Sequence, residues 1–258
     1  MNLFNLFFTL INISFAKPFK HVLLTANNHV VIRGPITSHS IAPKLVELNN
    51  IQTDDIYIYL QSPGGSVTAG TTFIQQMEHL KNTGKKIKCI GDVAISMAFV
   101  IFQYCDERYA TFSSITMQHQ MSVGLEGEFN NIKNKISFYQ EMNDKIDNDQ
   151  ASKLGLSLKD FREKTEHDWW LYGENVVNNK VADEIIHVGC SPDLYKKLVT
   201  ENFHTFFGTL VSVFSECPIP RGPIHQVFLN NGLEITEPEI KEKISNEYML
   251  NHGDMLMV

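Results

Sequence analysis

The chain has 258 residues, 43% of them hydrophobic, enough for one sizeable core with an appendage and no need of disulfides to close it. Its 22 basic against 29 acidic residues give a formal charge of −7 without any Lys/Arg stripe interleaved with aromatics, which argues against a phosphate-tracking surface and so against nucleic acid as a partner. The four cysteines, Cys89, Cys105, Cys190 and Cys217, show neither C-x-x-C spacing nor a nearby histidine cluster, so no metal site or cofactor is expected. Each reads as a small buried hydrophobe, with Cys190 and Cys217 able to bridge if the chain is exported.

Met1 to Ala16 is apolar around Leu3 to Ile13 and ends Ser14-Phe15-Ala16, the small-residue spacing of a cleavable leader. It points to a secretory or export route; a packed N-terminal arm on a cytoplasmic or organellar protein is the alternative, because no Lys or Arg precedes the apolar run. Val30–Ile32 reads as a strand stopped by Gly34-Pro35. Ile41, Leu45 and Leu48 then recur at helical spacing behind a Ser38 or Ser40 cap. Ile56 to Leu60 is a continuous apolar run, as in a parallel strand buried on both faces.

After Pro63-Gly64-Gly65, the residues Phe73, Ile74, Met77 and Leu80 predict a helix, and Lys86 to Ile90 a strand. Ile95 to Phe102 opens a buried helix, and Ile115, Met117 and His119 alternate along a strand. From Asn130 to Leu154 apolar residues repeat every three or four positions, predicting a long amphipathic helix. Ser157 with Asp160 marks a short helix leading to Thr165 and Asp168, and Val181–Val188 a last core strand. Beyond Gly189, the spacing of Phe203, Phe206, Phe207, Leu210, Val211 and Phe214 predicts a helix, and Thr236 with Glu239 caps another. The aromatic stripe reads as packing against the domain or a sister subunit; membrane contact is not expected.

Three residue types in this order carry chemistry. A serine hydroxyl needs a base to take its proton, and an imidazole oriented by a carboxylate supplies one near neutral pH. Ser96, His119 and Asp168 provide them. Ser96 falls where strand gives way to helix, so the Met97 amide and the positive helix end face a developing oxyanion. Gly65 is the second donor, since glycine lets a backbone N–H approach a substrate carbonyl closely.

The turn Ser62 to Gly70 (SPGGSVTAG), the segments AISMA around Ser96 and TMQHQ around His119, and TEHDWW around Asp168 resemble the Clp protease proteolytic subunit, in order and register, over roughly Asn27 to Val188. The resemblance implies an α/β, crotonase-like spiral of repeated β-β-α units with a long handle helix, to which the sequence adds a helical C-terminal extension. The implied division is a leader at 1–16, a peptidase domain at 17–189 and the extension at 190–258. It further implies a serine endopeptidase working through an acyl-enzyme on Ser96, in a homo-oligomeric ring where handles join ring to ring.

Peptide or unfolded protein would bind as an added strand between Gly64, Gly65, Ser66 and Val67 on one side and Ser122, Val123, Gly124 and Leu125 on the other. An ATP-dependent unfoldase is the partner the family implies. Lys17 to Asn28 lacks the family's N-terminal axial segment, however, and the tail beyond Gly189 is foreign to it. Ile95, Ala98 and His167 also depart from the pattern, standing where alanine, glycine and arginine are usual. Three alternatives remain: an inactive ring subunit, an acyl-CoA hydratase or isomerase of the same fold, and a membrane-associated Ser-Lys peptidase using Lys133 or Lys135.

Overall fold

The computed structural model describes residues 19–205, 208–230 and 233–235. The leader and the helix expected after Thr236 lie outside them. Strand β1 is Lys20–Leu24, β2 His29–Arg33 and β3 Asp55–Ser62; helix α1, Ser38–Asn50, connects β2 to β3, and α2, Val67–Asn82, connects β3 to β4, Lys86–Ile95. Then come α3 (Met97–Gln103), β5 (Glu107–Ala110), β6 (Ile115–Gln118), α4 (Phe129–Leu154), α5 (Leu158–Thr165), β7 (Trp169–Tyr172), α6 (Glu174–Asn178), β8 (Glu184–Cys190) and α7 (Pro192–Lys196).

The main sheet runs β1-β8-β5-β4-β3-β2, with every pair on that path parallel. Parallel strands need crossovers, and burial on both faces explains the apolar run Ile56 to Leu60 in β3. β4 serves two neighbours in turn. Its first half pairs with β5 through Lys88, Cys89 and Ile90, and its second half with β6 through Val93, Ala94 and Ile95. The sheet forks at Gly91 and Asp92, and β7 adds to β6 as an antiparallel edge.

One core lies between the sheet and its helices, with Phe73, Phe99, Phe102 and Phe161 fully buried. Helix α1 is capped by Thr37, one residue before the expected serines; Ser40 completes a reciprocal box with it. Helix α4 matches the predicted long amphipathic helix in span, ending in left-handed Gly155 at φ 67°. Its first half stands clear of the core: the buried residues are Ile146, Gln150, Ala151 and Leu154, all in its last third.

The C-terminal extension is not the expected helix. Leu198–Thr205 (β9), Gly208–Ser215 (β10), His225–Asn230 (β11) and Leu233–Ile235 (β12) form an antiparallel meander in the order β12-β11-β10-β9. Its apolar residues fit both a helical and a two-residue period. Ser212 and Phe214 are buried while Val211 and Val213 are half-buried, so the two-residue period wins, helped by β-branched Thr209, Val211 and Val213. Helix α7 and the loop after β10 cover the second face of the main sheet. There Val22, Leu24, Tyr59, Ile90, Tyr109 and Ile186 pack with Leu194 and Cys217.

The cysteine reading also changes: all four are paired. Cys190 and Cys217 bridge β8 to the loop after β10, as the spacing allowed, with Cα atoms 5.8 Å apart. Cys89 and Cys105 bridge β4 to the turn after α3 at 5.9 Å. Both separations suit a disulfide. The second pair was hidden because helix α3 folds back onto the strand it follows, a proximity no sequence spacing announces.

Candidate active site

Three connections leave the carboxyl ends of β3, β4 and β6, and together they build the site. After β4 the chain turns into α3 through Ser96, whose φ of 52° and ψ of −119° are rare for a residue with a side chain. The turn is held by the Ser96 N–H donating to the Met117 carbonyl at 2.9 Å and the Val100 N–H donating to the Ser96 carbonyl at 3.1 Å. Met97 is the first residue of α3, where an amide has no intrahelical acceptor.

His119 follows the last residue of β6. The β4–β6 register, Ile95 beside Met117, carries His119 alongside the turn at Ser96. Ser96 Oγ and His119 Nε2 are 2.8 Å apart, a hydrogen bond. Behind the histidine, the buried Gln118 amide donates to Gln150 Oε1 at 2.7 Å, fixing the end of β6 to α4. That glutamine pair escaped the sequence reading: Gln118 sits inside the TMQHQ segment, but its partner Gln150 lies 32 residues away on α4 in no motif.

The glycine turn after β3 forms the opposite wall. Ile36 N–H donates to the Gly64 carbonyl at 2.7 Å and accepts, through its own carbonyl, the Ser66 N–H at 2.8 Å. This bridge between Ile36 and Gly65 is parallel, so the Gly65 amide faces away from Ile36, toward the side open to a peptide. Gly64 has φ +89° and no room for a side chain: a Cβ would sit 2.5 Å from the Ile95 carbonyl and 2.7 Å from the Met97 amide nitrogen. Ser66 is committed elsewhere, its hydroxyl capping α2 through the Ala69 N–H, and Val67 opens that helix.

Asp168 is not joined to this pair. It is exposed, and among the described residues no hydrogen bond or ion pair links it to His119. Its position is nonetheless set by the antiparallel β6–β7 ladder, whose last pairs are Met117 with Trp170 and Gln118 with Trp169. Asp168 and His119 are the residues next to that last pair on the two segments. The Gln120 amide, donating to the Glu166 carbonyl at 3.3 Å, ties the two segments just beyond.

Ser122, Val123 and Gly124 are exposed and Leu125 is half-buried, all in irregular chain. This stretch borders a cleft of about 380 Å³ lined by Met121, Val123, Tyr139, Gln140, Asn143 and Thr165. Burial lifts the Asp147 carboxyl at its edge above the ordinary range, although Arg162 and Asn143 donate to it. Among the described residues no cluster of His, Cys, Asp and Glu could hold a metal ion, and no helix is long and apolar enough to cross a membrane. Lys133 is exposed on α4, its ammonium 4.5 Å from the Phe129 ring centroid.

The fold is thus a mixed α/β one with a parallel-dominated sheet, whose strand ends gather a hydroxyl, an imidazole and a glycine turn. The protein-family model described as Clp protease matches residues 19–189, well over half of the chain, and the chain belongs to that family. Membership implies a peptidase, acting on peptide and protein substrates.

Proposed function

We propose that the protein is a serine endopeptidase that cleaves peptides and unfolded chains through an acyl-enzyme on Ser96. The observation that carries this reading is the 2.8 Å hydrogen bond from Ser96 to His119 Nε2, made by a serine held at φ 52° at a helix start. His119 takes the hydroxyl proton as Ser96 Oγ attacks the scissile carbonyl. The Gly65 and Met97 amides stabilise the oxyanion, and the imidazolium then gives its proton to the leaving amine. A water repeats the sequence to release the acyl group.

Asp168 takes the orienting role by turning onto His119 Nδ1 from its place in the β6–β7 register. Substrate lies as an extended strand, using the Gly65 amide on one side and Ser122 to Leu125 on the other, with side chains entering the Met121–Tyr139 cleft. Assembly into a homo-oligomeric ring is supported by the apolar residues that α4 leaves bare: Phe129 is 71% and Phe138 56% exposed. The two disulfides support maturation in an oxidising compartment, in keeping with the export route.

Ser96→Ala is expected to abolish hydrolysis of an unstructured reporter protein and labelling by a fluorophosphonate, while native mass stays unchanged. Turnover surviving that substitution sinks the mechanism. A catalytically silent ring subunit is the second reading, favoured by the exposed and unengaged Asp168; it predicts a wild-type chain that assembles but neither hydrolyses nor labels. The Ser-Lys reading has no comparable support, because Ser96 has an imidazole as its partner.

A further inference from the structure

The three strands that deliver the site meet below it on one buried polar hub, and half of that hub comes from the C-terminal extension. At the fork of the sheet, Asp92 is only 3% exposed, four residues before Ser96 on β4. Arg221, from the loop between β10 and β11, grips it with two nitrogens, Nε to Oδ2 at 2.9 Å and NH2 to Oδ1 at 2.5 Å. The same NH2 donates to the Ser113 carbonyl at 2.7 Å, two residues before β6 begins.

The third strand joins through Gln61 on β3, three residues before Gly64. Its amide donates to Asp92 Oδ2 at 3.0 Å and to the Pro218 carbonyl of the extension at 2.7 Å. Arg33 Nε in turn donates to Gln61 Oε1 at 3.2 Å, and the Arg33 guanidinium is held by Glu201 of β9 and lies over the Phe214 ring. One guanidinium and one carbonyl from outside residues 19–189 therefore connect β3, β4 and β6, the strands that lead to Gly64, Ser96 and His119.

We propose that Arg221 is a positioning residue for the peptidase site: by bridging Asp92 to Ser113 it fixes the fork of the sheet, and with it the spacing of Ser96 against His119. The inference rests on the reading of Ser96 as nucleophile. It gives the extension a role in catalysis, where a packing element alone would contribute only to stability. The physical reason is that Asp92 sits where β4 exchanges β5 for β6, so no ladder bond of its own ties the two leaves together at that level. Without Arg221, the buried Asp92 carboxylate still accepts from Gln61 of β3 but is no longer joined to Ser113 ahead of β6.

The test compares Arg221→Ala and Arg221→Lys with Gly84→Ala, which lowers stability in an open turn far from the hub: Gly84 has φ +93° and nothing near its missing Cβ. All are assayed well below their melting temperatures, for kcat, KM and the rate of fluorophosphonate labelling. Arg221→Ala is expected to lower kcat and labelling about tenfold with KM within about twofold. Arg221→Lys, a point charge unable to bridge both partners, should fall between it and wild type. Gly84→Ala should leave kcat unchanged.

Hydrogen exchange gives an activity-independent readout. The Ser96 amide, bonded to Met117 across the two leaves, should exchange faster in both Arg221 variants and not in Gly84→Ala. Should Arg221→Ala fail to fold, Arg221→Lys and Asp92→Asn carry the comparison. Variants of Arg221 that melt earlier yet keep wild-type kcat and Ser96 exchange overturn the proposal, as does a rise in KM alone. A failure of the nucleophile assignment would show separately, as turnover persisting in Ser96→Ala.

Discussion

Gly64→Ala offers the sharpest check on the geometry of the glycine wall, because a comparator separates its two effects. Gly64 and Gly84 have nearly equal φ, +89° and +93°, so alanine at either costs about 1–2 kcal/mol in backbone conformation. That cost corresponds to about 2–8 °C in melting temperature for a domain of this size. Their surroundings differ: the new Cβ meets nothing at Gly84, whereas at Gly64 it lies 2.5 Å from the Ile95 carbonyl, 2.7 Å from Met97 N and 2.8 Å from Ser96 Cβ. Relaxing those contacts to roughly 3.4 Å requires the wall and the nucleophile turn to part by roughly 0.6–0.9 Å. A displacement near 1 Å at reacting groups costs about a hundredfold in rate. Steady-state hydrolysis of a peptide reporter should thus show kcat about a hundredfold lower for Gly64→Ala and unchanged for Gly84→Ala, alongside thermal melts. A Gly64→Ala enzyme with kcat within about threefold of wild type would falsify the placement of this wall against Ser96.

Asp168→Asn should lower kcat by about 10²–10⁴-fold with little change in KM, since it leaves the base unoriented; wild-type kcat would remove Asp168 from the mechanism. Replacing Cys190 and Cys217 together by alanine removes a loop constraint spanning 27 residues, worth about 3–4 kcal/mol in a chain-entropy model. Urea unfolding should register that loss, and an unchanged midpoint would show that the bridge does not form. Burial holds the His29 imidazole below its ordinary pKa of 6.5, although it is hydrogen-bonded to the Thr25 carbonyl. The unfolded chain therefore takes up this proton first as pH falls below about 6.5, and folding stability is lost through that window. His29→Gln should flatten the decline in melting temperature as pH falls below about 6.5; superimposable curves for the two proteins would refute the assignment.

Much of the candidate site was legible because its residues sit in short contiguous words. Gly64, Gly65, Ser96 and Met97 each lie in a turn or helix start whose geometry local chemistry dictates, and His119 lies at the end of an alternating strand. The hub around Asp92 was not readable, since Gln61, Asp92, Ser113 and Arg221 are scattered along the chain and meet only through sheet order. Strand β1 was missed despite the alternation of Val22 and Leu24, because five residues at an edge give too short a period to stand out. In the extension, apolar residues compatible with two periods were resolved only by partners: the register of Val199 against Phe214 and Val211 against Val227 exists only after long-range pairing.

The β6–β7 ladder has one more consequence, for how freely this molecule can be remodelled. Pairing of Gln118 with Trp169 brings the segments carrying His119 and Asp168, the proposed base and its orienting acid, side by side across two adjacent strands. The exposed stretch from Met121 through the first half of α4 can therefore be lengthened, trimmed or exchanged, as long as both strand ends and the buried last third of α4, with Gln150 against Gln118, are kept. Drift in that loop-and-helix excursion would retune what the protein grips or assembles with while leaving its proton-transfer partners where they stand.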